Sequence, residues 1–283
     1  MTRSRIWLNG ALVPLADAHI AANDRGLLLG DGVFETLLAR HGHIVRGAAH
    51  GARLAHAAQV MHIPLPLAPE VLTAAAYDTL AANALAHAPR ASLRITLTGG
   101  PAARGLARPA LSAPTLMMSA TAAPAPPAQL RVTISSVKKL AASAASPLKT
   151  LNYTDNILAR QEAEAAGTDD ALMLTAAGHI ACATVANIFI AGPGFVLTPA
   201  EDGAIRAGIT RHDVLALARG MGLAAREGDL SIAALHAAHE VFLTNSLWGV
   251  CPVGQVDSTR FTPGPITRAL SDALDAAWAP EQP

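Results

Sequence analysis

The sequence predicts a two-domain protein of mixed α+β and α/β class, and three observations carry that prediction. Before residue 120, extended segments joined by tight-turn signals share the chain with two helical stretches; a proline-rich stretch without apolar period follows at 120–129; strand-like and helical segments resume beyond it. The domains are accordingly placed at 1–119 and 130–283, with 120–129 as an exposed linker stiffened by Pro124, Pro126 and Pro127. A chain of 283 residues with 51% hydrophobic content has enough apolar side chains for a core in each.

Taken in order, residues 5–13 read as a hairpin turned at Asn9-Gly10, a pair that tolerates the positive φ angles a tight turn demands. Residues 31–38 and 43–45 follow as strands, with Arg40-His41-Gly42 as their turn. Helical composition and length mark 50–62 and 68–87; 92–98 and 114–120 return to strand, giving the first domain an antiparallel sheet. Beyond the linker, 130–137 alternates like a strand. A helix is expected over 154–166, capped by Asn152 or Thr154 and stopped at Gly167. Short strands are expected at 171–174, 178–180, 187–190, 195–197 and 240–244, with a helix opening at Gly208-Ile209-Thr210 and running to about Gly220. The abundance of alanine, which fits either face of a helix, blurs these periodicities.

Lys plus Arg and Asp plus Glu both total 21, so no basic excess points to nucleic acid and no polybasic stretch to a membrane surface. No run of about 18 uncharged apolar residues occurs, and the start Met1-Thr-Arg-Ser-Arg-Ile-Trp lacks a leader's apolar core. A cytoplasmic protein acting on a small molecule is the expectation. Cys182 and Cys251 are too few for a zinc cage or a disulfide framework, and the eleven histidines form no metal-binding pattern, so no metal is expected. Gly-rich dinucleotide and nucleoside-triphosphate loops are absent from the sequence, and Ser146-Pro-Leu-Lys149 lacks the companion motifs of a serine acyl enzyme.

Lys149, in Ser-Pro-Leu-Lys149-Thr-Leu-Asn152-Tyr153, stands at the expected mouth of the 154–166 helix. An amine there can form a Schiff base when apolar surroundings or a second cation lower its pKa. A surface lysine before a helix is the alternative. Gly208-Ile209-Thr210-Arg211 would present backbone N–H groups and a hydroxyl at a helix start, a natural phosphate site, although a plain threonine cap reads the same way. Thr244-Asn245-Ser246 offers small donors at a strand end, and Arg53 could give a phosphate two parallel hydrogen bonds.

These elements together resemble the class IV, fold type IV pyridoxal-phosphate enzymes, which include branched-chain and D-amino-acid aminotransferases and 4-amino-4-deoxychorismate lyase. The resemblance rests on Asn23-Asp-Arg-Gly-Leu-Leu-Leu-Gly-Asp-Gly-Val-Phe-Glu-Thr36, residues 50–54, 147–153, Ala186-Asn-Ile-Phe189, 208–211 and 240–253, in family order. It implies that Lys149 holds pyridoxal 5'-phosphate as a Schiff base and shuttles the substrate's Cα proton. It also implies that Arg53, the Ile209 and Thr210 amides, the Thr210 hydroxyl, Asn245 and Ser246 hold the phosphate, that Tyr153 reaches the cofactor's phenolic oxygen, and that the protein is a homodimer. Arg104, in Thr98-Gly-Gly-Pro-Ala-Ala-Arg104-Gly105-Leu106, is similar to the family's carboxylate-binding arginine, but Leu106 lacks the polar group usual there.

Cys182 departs from the family pattern. It stands five residues before Asn187, where relatives usually carry the glutamate that keeps the pyridine nitrogen protonated, and no Asp or Glu occurs between Asp170 and Glu201. A thiolate against the pyridinium, a neutral thiol beside an unprotonated ring, and a relic with little turnover are the open accounts, besides a small buried hydrophobe. The neutral thiol is preferred, since Ala181 and Ala183 bring no positive charge. The resemblance favours pyruvate elimination from an aminodeoxychorismate-like substrate, with an aminotransferase of D-amino or branched-chain amino acids next and a weakly active cofactor-binding protein third.

Overall fold

The computed structural model describes residues 4–141, 143–201 and 205–279. Residues 1–3, which open the stretch read for a leader, and 280–283, the end of the second expected domain, lie outside them. The chain divides into two compact units: one holds residues up to Pro124 together with Leu148–Asn152, the other Ala125–Pro147 and Tyr153–Ala279. No described helix is long and apolar enough to cross a membrane, and no described group of three or more His, Cys, Asp or Glu could hold a metal ion.

The first unit is built on strands β1 (Arg5–Leu8), β2 (Ala11–Pro14), β3 (Gly32–Arg40), β4 (His43–Ile44), β5 (Ala91–Thr98) and β6 (Thr115–Ala122), with helices α1 (Arg25–Leu29), α2 (Gly47–Val60) and α3 (Pro69–Ala82). The strands form one antiparallel sheet in the order β2-β1-β6-β5-β3-β4. The β1–β2 turn is the expected one, with Asn9 and Gly10 at φ 46° and 101°. Leu54, Leu72, Leu80, Leu93, Leu97 and Leu116 meet in its core, where Ala57, Ala58, Ala75 and Ala76 leave little bulk between helices and sheet. α3 stops five residues before the expected end because Ala84 turns to φ 58°. There Asn83 donates to the Arg5 carbonyl at 2.9 Å and accepts from the Arg5 amide at 2.9 Å.

The second unit contains β7 (Leu130–Lys139), α4 (Thr154–Ala165), β8 (Asp170–Thr175), β9 (Ile180–Ala183), β10 (Asn187–Gly192), β11 (Phe195–Thr198), α5 (Ile209–Gly220) and β12 (Ala224–Glu227). It continues with α6 (Ile232–His236), β13 (Glu240–Asn245), β14 (Gly249–Val256), β15 (Thr259–Arg260) and α7 (Pro265–Ala277). Its sheet is mixed: β12-β11-β10-β13-β14-β7-β8-β9, with β15 on β14, is parallel at β11–β12, β14–β7 and β7–β8. Phe189 and Phe242, directly paired across β10 and β13, stack at 5.0 Å.

Several boundaries differ from the sequence expectation. β6 continues to Ala122, two residues past its expected end and into the expected linker, because its pairing with β5 runs to Ala91↔Ala122. The expected strand at 178–180 begins only at Ile180, since Gly178 is a turn residue at φ 84°, and it extends through Cys182. Tyr153, not Asn152 or Thr154, is the N-cap of α4, and no side chain bonds there. Lys149 does not sit at a helix mouth. Val33 and Thr150 form an antiparallel bridge, the Phe34 amide donates to the Lys149 carbonyl at 2.9 Å, and the Leu151 amide donates to the Gly32 carbonyl at 2.9 Å. These bonds draw Leu148–Asn152 into the first unit, on the edge of β3 that β4 covers only at Ala39 and Arg40.

Candidate functional site

In the first unit, the bridge to β3 fixes the backbone of Lys149 and leaves its half-buried side chain over Phe34, with Nζ 4.2 Å from the ring centroid. Arg94, from β5, puts its guanidinium carbon 3.8 Å from the same centroid and donates through Nε to Thr96 at 3.2 Å. A second cation thus shares the aromatic ring that Lys149 covers. The sequence reading passed over Arg94, although strand alternation sets it on one face with Thr96.

Arg53, from α2, donates through Nε and Nη2 to the two oxygens of Glu35 at 2.7 and 2.8 Å, and His50 Nδ1 lies 2.7 Å from the same carboxylate. Burial alone would push the Glu35 carboxyl up. The Arg53 and His50 bonds overcome it and hold the group at about 2, so Glu35 stays ionised and orients the guanidinium. The sequence signal for Glu35 is one carboxylate inside a mostly apolar strand.

Arg104 is exposed on the loop after β5 and makes no hydrogen bond or ion pair among the described residues. The loop is held by another residue. Buried Arg25 donates Nη1 to the Gly105 and Ala107 carbonyls, each at 3.2 Å, and Nη2 to the Leu106 carbonyl at 2.9 Å. Asp31 accepts from Arg25 Nε at 2.6 Å and from Arg108 Nη2 at 2.5 Å. Gly105 adopts φ 123°, a conformation side-chain-bearing residues rarely take.

In the second unit, α5 starts at Ile209 after Gly208, and no side chain caps it. The amides of Ile209, Thr210 and Arg211, in the first turn, therefore have no partner within the helix. The Thr210 hydroxyl is buried without a partner, and so is that of Thr244, on β13. Asn187 links the two places: it pairs with Thr244 across the sheet, and its carboxamide, which donates to the Arg206 carbonyl at 3.2 Å, lies where a Cβ on Gly208 would stand. Helix-start amides, two orphaned hydroxyls and a glycine packed against the Asn187 carboxamide fit an anion such as a phosphate. Asn245 Oδ1 accepts from the Leu247 and Trp248 amides at 2.9 and 2.8 Å, so its carboxamide oxygen builds the turn that presents Ser246.

Tyr153 accepts from Arg206 at 2.8 Å, a partner the sequence did not suggest. Cys182, half-buried on β9 opposite Met173, has its thiol pushed up by burial and by Asp170, against the opposing pull of Lys139 and Arg206. The group therefore stays a neutral thiol at neutral pH.

Comparison with known proteins gives this geometry a family. The class IV amino-transferase model matches residues 32–256. The chain is 33% identical over 276 residues, 95% of its length and 94% of the relative's, to a Methanocaldococcus jannaschii protein provisionally named a branched-chain-amino-acid aminotransferase. It is 28% identical to the aminodeoxychorismate lyase of Vibrio harveyi, covering 95% of this chain and 99% of that one. The T.th. branched-chain amino acid aminotransferase, solved with pyridoxamine 5'-phosphate, superposes with a TM-score of 0.91 at 27% identity, over 99% of this chain and 96% of that one. The chain belongs to the class IV aminotransferases, fold type IV enzymes that use pyridoxal phosphate.

Proposed function

We propose that the protein transfers the amino group of a small amino acid, branched-chain or D-, with Lys149 as its catalytic amine. The observation that carries this reading is the bridge to β3, which fixes Lys149 in extended backbone with its amine against Phe34. The bound cofactor supplies an aldehyde carbon and an electron-accepting ring. Lys149 Nζ would bind that carbon, would be displaced from it by the substrate's amine, and as a free amine would carry the proton from the substrate's Cα to that same carbon. Arg53, aimed by Glu35, would hold the phosphate with the Ile209 and Thr210 amides, the Thr210 hydroxyl, Asn245 and Ser246, which makes the second unit the main cofactor-binding domain. Tyr153, steadied by Arg206, would face the phenolic oxygen. Neutral Cys182 would leave the ring nitrogen without a carboxylate, and Arg104 would pair with the substrate's carboxylate.

The sequence motifs alone rank elimination first; the higher identity to an aminotransferase moves amino transfer ahead of it. Pyruvate elimination from aminodeoxychorismate remains the second reading, favoured by the Arg104-Gly105 pair and by the Vibrio harveyi relative. Borohydride reduction of the cofactor-loaded protein followed by peptide mapping should find the adduct on Lys149. Adding single D- or L-amino acids to the unreduced protein should then shift the absorbance to that of the pyridoxamine form. Pyruvate release from aminodeoxychorismate without that shift would establish the lyase. Bound cofactor with neither activity would indicate a binding protein, and an unmodified Lys149 would remove the whole reading.

A further inference from the structure

We infer that Arg25 is a positioning residue for substrate recognition: its clasp on three successive carbonyls fixes the loop that carries Arg104. The inference rests on the reading of Arg104 as the carboxylate clamp and adds what makes that clamp stiff. Residues 103–107 are all exposed, and Leu106 keeps 82% of its surface in water, so apolar burial does not hold this segment. What holds it is polar. Arg25, 6% exposed, directs Nη1 to the Gly105 and Ala107 carbonyls and Nη2 to that of Leu106, while Nε is committed to Asp31. Three carbonyls turned toward one guanidinium force the peptide planes of 105–107 into one arrangement, and Gly105 at φ 123° supplies the backbone that permits it.

The clasp is itself anchored. Arg25 heads α1, where its amide donates to the Gly100 carbonyl at 2.9 Å. Beside it, buried Asp24 accepts from the Gly26 amide at 2.7 Å, from Thr98 at 2.9 Å and from Thr115 at 2.7 Å. Asp31 holds Arg25 on one oxygen and Arg108 on the other, so the loop is gripped at 105–107 and again at 108. Upstream, Asn23 and Ala102 exchange two hydrogen bonds, at 3.1 and 3.2 Å. Arg104 is left as the cation pointing out of a braced turn. A lysine at position 25 would keep the charge opposite Asp31 but could not reach three carbonyls in one plane.

The test uses the full-length, cofactor-loaded enzyme and its best amino donor, with R25M, R25K, R104A and the R25M/R104A double variant. Amide hydrogen exchange over 104–108 should speed up about tenfold or more in R25M and R25K, with α2 and the cofactor absorbance unchanged. KM for the donor should rise about tenfold in both, with kcat within about twofold, and R25K should not rescue. The double variant should be no worse than R104A, because one interaction cannot be lost twice. Unchanged exchange at 104–108, or effects of R25M and R104A that multiply, would overturn the positioning role. An unchanged KM in R104A would instead overturn the clamp reading, and with it this inference. Should R25M fail to fold, R25K carries the same exchange and KM outcomes.

Discussion

Glu35 shows how a buried charge can be retained in a mostly apolar strand. Leu37, Leu38 and Val33 flank it in β3, and a lone carboxylate at this depth would normally take up a proton. Arg53 and His50 prevent that, and the folded carboxyl titrates at about 2 against an ordinary 4.5. Because the folded value lies below the unfolded one, the stabilisation is present in full above about pH 4.5 and is lost as pH falls toward 2. Its size is on the order of 3 kcal/mol, from about 1.4 kcal/mol per pKa unit. Other carboxylates titrate in the same window, so the informative quantity is the difference between wild type and E35Q. We expect that difference in unfolding free energy, from denaturant titrations, to shrink steadily as pH is lowered from about 5 to about 2.5; a flat difference would show that Glu35 is not held ionised by its neighbours. The same variant should weaken cofactor binding, since Arg53 would lose its bidentate carboxylate.

Helix α5 carries a conflict at its first turn. Arg211 is a cation at the positive end of the helix dipole, and it is buried; Glu201 at 2.5 Å, Glu227 at 2.7 Å and the Pro199 carbonyl at 2.9 Å offset it. The Arg211 bond in turn holds the Glu227 carboxyl below its usual value, against the opposing effect of burial. With that cation neutralised, the Ile209 and Thr210 amides and the buried Thr210 hydroxyl stay available to an anion. An unpaired buried hydroxyl costs about 1–3 kcal/mol, so Thr210→Val should leave the cofactor-free protein as stable as wild type or more so. Its affinity for pyridoxal phosphate should nevertheless fall roughly tenfold, about 1.4 kcal/mol. Thermal melts without cofactor and absorbance titrations with it measure the two sides, and a lower melting temperature without cofactor would show that the hydroxyl already has a partner. The start of α5 was legible in the sequence because Gly208-Ile209-Thr210 directly precedes the apolar series Val214, Leu215 and Ala218. Long-range pairings within each unit were not: Tyr153 lies 53 residues from Arg206, and Arg25 lies 80 from Gly105, separations over which local pattern carries no pairing information. Helix α7 went unread for another reason. Leu270 and Leu274 do form a stripe, but no side chain caps the helix locally: its first turn is satisfied from a distance by Glu240, which accepts from the Ile266 and Thr267 amides at 3.1 and 2.7 Å.

Across the molecule, the residues proposed for chemistry are divided by the chain's own folding. Lys149, Arg53 and Arg104 belong to the first unit, whereas Cys182, Thr210 and Tyr153 belong to the second. The sequence placed Lys149 with the second half because it follows the 120–129 linker, whereas the hydrogen bonds to Gly32 and Phe34 draw it into the first. Both cysteines lie in the second unit, which makes thiol chemistry a probe of that unit's integrity. Cys251 is fully buried within β14, and burial, reinforced by Asp169, pushes its thiol up to about 12. The Cys182 thiol is raised too, despite Lys139 and Arg206. Since a raised thiol pKa lowers the fraction of reactive thiolate, both groups should stay protonated at pH 8, and a disulfide reagent should label the native protein at least about tenfold more slowly than an unperturbed cysteine of pKa about 8.5. Denaturant should release both thiols in the transition that unfolds the second unit. Excess pyridoxal phosphate should move that release to higher denaturant, by about 2.7 kcal/mol of added stability at a hundred times its dissociation constant. Rapid labelling of Cys182 in the native protein would mean that Lys139 and Arg206 outweigh burial, and the neutral-thiol account of the ring nitrogen would then have to give way to a thiolate.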